Sequence, residues 1–495
     1  MKHTTNYRIY SKINQPKLFN MIHYNICNDD PVVKLKNILE EAELNSFYNL
    51  FKHKTKVHPL NLLAVIIHAF SNKIESTREI ETLCKENIKY MYLLDDNKAP
   101  DHTTISRFMA KCNPIIEDIF TEIVKIIMKR NNITSENIYI DGTKIEAYAN
   151  KYTFVWKKAV LKNYEKLNEK IHALIFEANV YYSREFNSIQ ELIHFLENKN
   201  INFVHGRGIK KSKDQKFFEE AKSYLDTCIK YYIHLDICKD RNSYSKTDHD
   251  ATFMRMKEDY MRNGQLKPGY NLQIATCSEL ILNYKVFSNP TDVKTLIPFL
   301  VDLKAKDFYL KNIVADAGYE SYENYQYIED NNLIPYIKPQ QYEKSKIRNF
   351  QKDLNRPENL IYNAKTNALT RKDGLELKYV GYGLKNNINY KLYYNPETDK
   401  NIWYNYKFRE YSNQSKENIC SEFGKQLRMN RSIQVEGSFG LIKETLKFRK
   451  LKVRGKENVE REIGFLLLGY NFKMHILKKK NKKIGNILHE LKKEA

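Results

Sequence analysis

The chain has 495 residues, 42% of them hydrophobic, and carries 82 Lys and Arg against 60 Asp and Glu, a formal charge of +22. That length and apolar content accommodate about two or three domains with a substantial core, and exclude a largely disordered chain. The positive excess suits a polyanionic partner, but the abundance of Asn, Ile and Tyr marks AT-rich coding, which also enriches Lys, so charge alone does not assign a nucleic-acid partner.

The opening MKHTTNYRIYSKINQ has no apolar core and does not read as a signal peptide. Residues 1 to about 135 read as an N-terminal all-α domain. NLLAVIIHAFSN (61–72), STREIETLCKENIKYMYLL (76–94) and NPIIEDIFTEIVKIIMKR (113–130) carry apolar residues at helical spacing. Between the last two, Pro100 and Asp101 make a turn, and Asp101 or Thr103 is placed to cap a helix starting near Thr104. Two helices joined by a short turn give a helix-turn-helix outline whose second helix offers Ser106, Arg107 and Lys111 to DNA; helices joined by tight turns are also common without any such role.

NIYIDGTKIEAYAN (137–150) is strand-like, with Asp141 ending an apolar run. From Val160 to Ala178 the spacing returns to helical, with Val160, Leu161, Tyr164, Leu167, Ile171, Leu174 and Ile175 on one stripe. This helical insert, at about 157–240, is expected to be a hairpin that packs or dimerises. GYNLQIATC (269–277) and LILNYKVFSN (280–289) predict a two-stranded hairpin, VKTLIPFLVDLKAK (293–306) a helix, and NIVADAGYES (312–321) a buried strand ending at Asp316. A helix over 322–331 and a strand at 334–339 follow. Strand, two strands, helix, strand, helix, strand is the order of an RNase H-like α/β domain, here assigned to 136–475. Residues 341–425 are polar and Tyr-rich and read as a β-rich insert; from about Leu427 the chain is helical, with a basic tail at 476–495. FLLLGY (465–470) is far too short to span a bilayer. The seven dispersed cysteines, with no C-x-x-C pair, are expected to be free thiols in a reducing cytoplasm.

In open sheets chemistry collects at the carboxyl ends of strands, so Asp141 and Asp316 would share an edge if their strands are neighbours; singly, each is an ordinary turn-capping Asp. Glu436 lies in RSIQVEGSFGLIKETLKF, and Lys443, seven residues on, would fall on almost the same face of an α-helix. Three such carboxylates suit divalent cations, which relieve their mutual repulsion and support phosphoryl transfer. A solvated Glu/Lys face is the alternative for this helix taken alone.

DHTTISRF, YIDGTKIEAYANKYTFVWKK, TDHDATFMRMKEDYMRNGQLKPGYNLQIA, ADAGYES and NRSIQVEGSFGLIKETLKFRKLKVRGKENV resemble, in order, the successive motifs of one branch of bacterial insertion-sequence transposases, DDE-type enzymes with an N-terminal helical domain. The similarity runs from about residue 50 to 475. It implies an RNase H-like core, two Mg²⁺ or Mn²⁺ ions held by Asp141, Asp316 and Glu436, and metal-dependent cleavage and strand transfer at terminal inverted repeats. It also implies a dimer assembled on double-stranded transposon ends and target DNA, in the bacterial cytoplasm at the nucleoid and away from membranes. Lys443, with Arg431 or Arg428, is expected to grip phosphate, as Arg107 would in the N-terminal domain.

The chain departs from the wider clan's Tyr-x2-Arg-x3-Glu-x6-Lys motif: Glu436 and Lys443 fit, but Met429 and Ser432 stand at the Tyr and Arg positions, which leaves a DNA-hairpin intermediate open. Relatives carry a cysteine cluster before this helix where only Cys420 stands here, so no structural zinc is expected. Trp403 either stacks on a flipped base, as an insert Trp does in some relatives, or is buried structurally. A domesticated DNA-binding relative without catalysis and a general nuclease on the same fold are the alternative functions.

Overall fold

The computed structural model describes residues 26–52, 57–95, 97–206, 210–256, 264–385, 387–445 and 450–491; the opening segment read above lies outside them. Helices α1 (Pro31–Glu41), α2 (Asn45–Leu50), α3 (Pro59–Ser71), α4 (Thr77–Glu86), α5 (Ile88–Leu93), α6 (His102–Lys111) and α7 (Ile116–Arg130) come first. Asp101 caps α6 through Thr104 N at 2.7 Å, while Thr103 instead donates to Asp101. The single helix expected over 76–94 is two, because Asn87 turns extended and its side chain caps α5 through Lys89 N. Ser106, Arg107 and Lys111 are all exposed on α6.

The mixed α/β core follows, interrupted after its first strand. β1 (Asn137–Glu146) leads through β2 (Phe154–Trp156) into α8 (Lys157–Tyr182), α9 (Ile189–Glu197) and α10 (Lys213–Cys238). β3 (Ser243–Ser245), β4 (Thr252–Arg255), β5 (Leu266–Cys277), β6 (Leu280–Phe287), α11 (Leu296–Ala305), β7 (Asn312–Ala315), α12 (Tyr322–Asp330) and β8 (Ile334–Ile337) complete it. Among the described residues the main sheet has six strands, in the order β4-β5-β1-β7-β8 with β6 also on β5. β1–β5 and β5–β6 are antiparallel; β1–β7 and β7–β8 are parallel. Helices α8 and α10 run antiparallel, as Lys157 Nζ reaches Lys239 O at one end and Tyr182 Oη reaches Asp214 at the other. Val160, Leu167 and Leu174 are buried along α8 at seven-residue spacing, the seam of a two-helix coil, whereas Leu161, expected in that stripe, is exposed.

After α13 (Arg348–Lys352), strands β9 (Ile361–Asn363), β10 (Ala368–Thr370), β11 (Glu376–Lys385), β12 (Ile388–Asn395) and β13 (Lys400–Tyr404) form a separate antiparallel sheet in the order β13-β12-β11-β10-β9. The β-rich character ends sooner than the expected residue 425. α14 (Tyr406–Cys420) is a helix because Tyr411, Ser415 and Ile419 recur every fourth residue and bury one face against β8 and α12. α15 (Glu422–Arg431), α16 (Gly437–Gly440) and α17 (Lys456–Lys480) finish the chain. The basic tail expected from 476 is also revised. α17 extends to Lys480, and the next residues return to the body, where Gln426 and Asn430 donate to His489 O and Gln434 donates to Ile487 O.

One hydrophobic core runs from the N-terminal helices through the main sheet into α17. The apolar runs explain it: α3 is buried on nearly every side, and FLLLGY within α17 is its partner. Gly469 permits the contact, since a Cβ there would lie 2.7 Å from Ser71 N and 2.8 Å from Phe70 C. Asp250 accepts from Lys456 N at 2.9 Å and Asp248 accepts from Gly455 N at 3.3 Å, so the TDHDA segment anchors the start of α17.

Candidate active site

β1 does not end at Asp141, as the apolar run suggested; Asp141 is its fifth residue, because GTKIE continues the antiparallel ladder with β5 as far as Glu146 with Gly269. On the other side β1 pairs in parallel with β7 only from Asn137 with Asn312 to Tyr139 with Val314. Continued two residues, that register sets Asp141 level with Asp316, the residue just past the end of β7. Two aspartates 175 positions apart in the sequence are thereby set level on adjacent strands.

Asp141 is buried (6% exposed). Its Oδ1 accepts from Gly142 N at 2.7 Å and its Oδ2 from Arg431 Nη1 at 3.0 Å. Asp316 caps a tight turn, Ala317–Tyr319, through Gly318 N at 2.8 Å. The Tyr319 side chain is fully buried, and its phenol is held well above its ordinary pKa by burial first, then by the negative charges of Asp141, Asp292 and Asp316, against an opposing effect of Arg431.

Asp292 was not anticipated from the sequence, nor were its partners. Tyr319 Oη donates to Gln273 Oε1; Gln273 Nε2 donates to Asn271 Oδ1 (3.0 Å) and Asp292 Oδ1 (2.9 Å); Asn271 Nδ2 donates to Asp292 Oδ1 (2.7 Å). The available signal was GYNLQIATC, two amides at alternate positions of a strand otherwise reading as buried, where polar side chains require partners. Gly142 leaves room for them: a Cβ there would lie 2.2 Å from Gln273 Nε2 and 2.8 Å from Asp292 Oδ1.

Glu436 does not lie on a regular α-helix. Ser432–Glu436 and Leu441–Thr445 are wide π turns flanking α16, so the seven-residue arithmetic that aligned Glu436 with Lys443 does not hold here. The first π turn packs against β1 and β5, with Gln434 accepting from Glu279 N, while Glu436 itself is exposed and Lys443 half-buried. Among the described residues no three His, Cys, Asp or Glu side chains stand close enough to share a metal ion. Asp141, Asp316 and Arg431 are thus brought together, and Glu436 stands on the neighbouring helical segment. Arg431, expected at phosphate, pairs with Asp141, while Arg428 lies over the Tyr342 ring at 5.2 Å. Arg107 is on α6 in the N-terminal helices. Trp403 is not buried: it is 42% exposed on β13, lying against Gly383 with Tyr390 at 5.8 Å. The hard carboxylate oxygens of two aspartates set level on adjacent strands suit a divalent cation.

A family model described as "Transposase DDE domain" matches residues 241–472, which include Asp292, Asp316 and Glu436 but not Asp141. Another, "Transposase domain (DUF772)", matches residues 20–111, taking in most of the helices before the core. No curated protein and no solved structure matches the chain significantly. The two matched regions, in this order and together covering about two-thirds of the sequence, make the chain a member of the DDE transposases of insertion sequences.

Proposed function

We propose that this transposase binds the terminal inverted repeats of its element and cleaves and joins DNA at a site formed by Asp141, Asp316 and Glu436. The observation that carries the reading is the register of β1 against β7, which sets the two aspartates level on adjacent strands. The strand order β6-β5-β1-β7-β8, antiparallel on one side of β1 and parallel on the other, supports an RNase H-like core. Two divalent ions, when bound, would lower the charge on the scissile phosphate and activate the attacking oxygen. Asp141 and Asp316 would hold them, with Glu436, on the helical segment packed against β1, completing the set. Arg431 balances the Asp141 carboxylate and is within a side chain's reach of a phosphate placed there. Lys443 and Arg428 add positive charge along the same helical stretch, Arg107 does so on the exposed face of α6, and the half-exposed Trp403 offers a ring to an unstacked base. Among the described residues no helix is long and apolar enough to cross a membrane; acting on DNA, the protein would work in the cytoplasm, with two protomers pairing the ends.

The test is end cleavage and strand transfer on terminal-repeat DNA with Mg²⁺ or Mn²⁺, comparing the native chain with Asp141→Asn, Asp316→Asn and Glu436→Gln. Each variant is expected to lose cleavage while keeping end binding, and full strand transfer by any of them removes that residue from the site. A second reading, a DNA-binding relative without catalysis, draws on the absence of a gathered three-residue cluster among the described residues. Metal-dependent cleavage by the native chain would dismiss it.

A further inference from the structure

We propose that Tyr319, Gln273, Asn271 and Asp292 form a positioning clasp that fixes Asp316 against Asp141, so that the pair presents its oxygens to divalent cations at a set separation. The inference rests on the reading of Asp141 and Asp316 as the metal-holding pair, and adds four residues with no role in it so far.

The β1–β7 ladder stops at Tyr139 and Val314, two residues short of the aspartates. Hydrogen bonding between β1 and β7 therefore sets the register but does not reach the aspartates themselves, and on the far side the β7–β8 ladder ends at Ala315. The clasp supplies what the ladder lacks. Tyr319 is three residues beyond Asp316, at the end of the turn that Asp316 caps. Its hydroxyl donates to Gln273, whose backbone is paired with Gly142, the neighbour of Asp141. The turn after one aspartate is thus tied to the strand position beside the other.

The polarity of this chain of bonds is determined. Asp292 only accepts, so Gln273 must turn its amide nitrogen toward it and its oxygen toward Tyr319, whose single hydroxyl proton completes the chain. Gln273 and Asn271 are each 1% exposed and Tyr319 0%, so these polar groups are shielded from bulk water and losing a partner is costly. Asn324 closes the far side by donating to Val293 O (2.9 Å) and Tyr319 O (2.7 Å), joining the turn after Asp292 to the turn after Asp316. Groups that orient metal ligands in this way typically change metal affinity about 10–100-fold when removed.

Tyr319→Phe deletes one hydroxyl in a full-length protein. Its Mn²⁺ affinity, read without DNA from the electron paramagnetic resonance signal of the free ion, is expected to fall about tenfold. The Mn²⁺ concentration for half-maximal end cleavage should rise in step, with end binding and the melting curve close to native. Gln273→Glu removes the donor to Asp292 and should weaken Mn²⁺ binding further; adding Asp292→Asn restores a donor and acceptor between positions 273 and 292 and should recover part of the loss. This pair decides the matter if Tyr319→Phe does not fold. Native Mn²⁺ affinity in Tyr319→Phe, or no recovery in the double variant, overturns the clasp. Asp141→Asn separates the two levels: if it is inactive while Tyr319→Phe is native in metal response, the clasp alone fails, whereas an active Asp141→Asn removes the site on which the clasp rests.

Discussion

Breaking the Arg431–Asp141 pair gives the sharpest test of the site's electrostatics. The two groups are 3.0 Å apart, with side chains 19% and 9% exposed. At an effective dielectric of about 20 their Coulomb attraction is of the order of 5 kcal/mol, mostly offset by the cost of desolvating both charges. Losing one partner is a different matter, because the other charge stays buried; that costs about 3–5 kcal/mol in fully enclosed pairs. With the guanidinium one-fifth exposed, about 2–3 kcal/mol is expected for Arg431→Gln. The assay is a double-mutant cycle with Asp141→Asn, read by thermal or urea unfolding, and the double variant should recover at least about 1 kcal/mol of the summed single losses. Arg431 also competes with any cation for the same carboxylate. Mn²⁺ should therefore raise the melting temperature of Arg431→Gln at lower concentration than it does for the native chain. Additive losses together with an unchanged Mn²⁺ midpoint would refute the pairing as the feature that balances Asp141.

Gly469→Ala forces a methyl group to within 2.7–2.8 Å of the α3 backbone, and should cost about 1–3 kcal/mol and loosen the N-terminal helices from the core, as limited proteolysis would detect. Glu462 on α17 is buried, one of its carboxylate oxygens has no partner among the described residues, and burial pushes its pKa up to about 7, with Glu75 adding to the rise. Because the folded state holds this proton more tightly than the unfolded state, its contribution is fully present below about pH 4.5 and is lost as pH climbs to about 7. Glu462→Gln should therefore be more stable than the native chain at pH 8, by the order of 2–3 kcal/mol, with the gap closing toward pH 5 in urea unfolding; an equal gap at both pH values would contradict the buried carboxyl.

Local chemistry made much of this molecule legible from its sequence. The Asp101 cap, the apolar runs of β5, β6 and β7, the helices over 296–305 and 322–330, and the aspartates after IYI and IVA all follow from spacing and side-chain type, since these act within a few residues. The same local reading put Asp141 at a strand end and Glu436 on a regular helix, because neither the continuing ladder with β5 nor the π turns leave a mark on apolar periodicity. What only the tertiary structure decided is which polar groups meet. Arg431 reaches Asp141 across 290 residues and Tyr319 reaches Gln273 across 46, and such pairings depend on strand register and helix packing that the local sequence does not encode. Burial then gives these meetings their strength, because a hydrogen bond or charge shielded from water has no substitute partner.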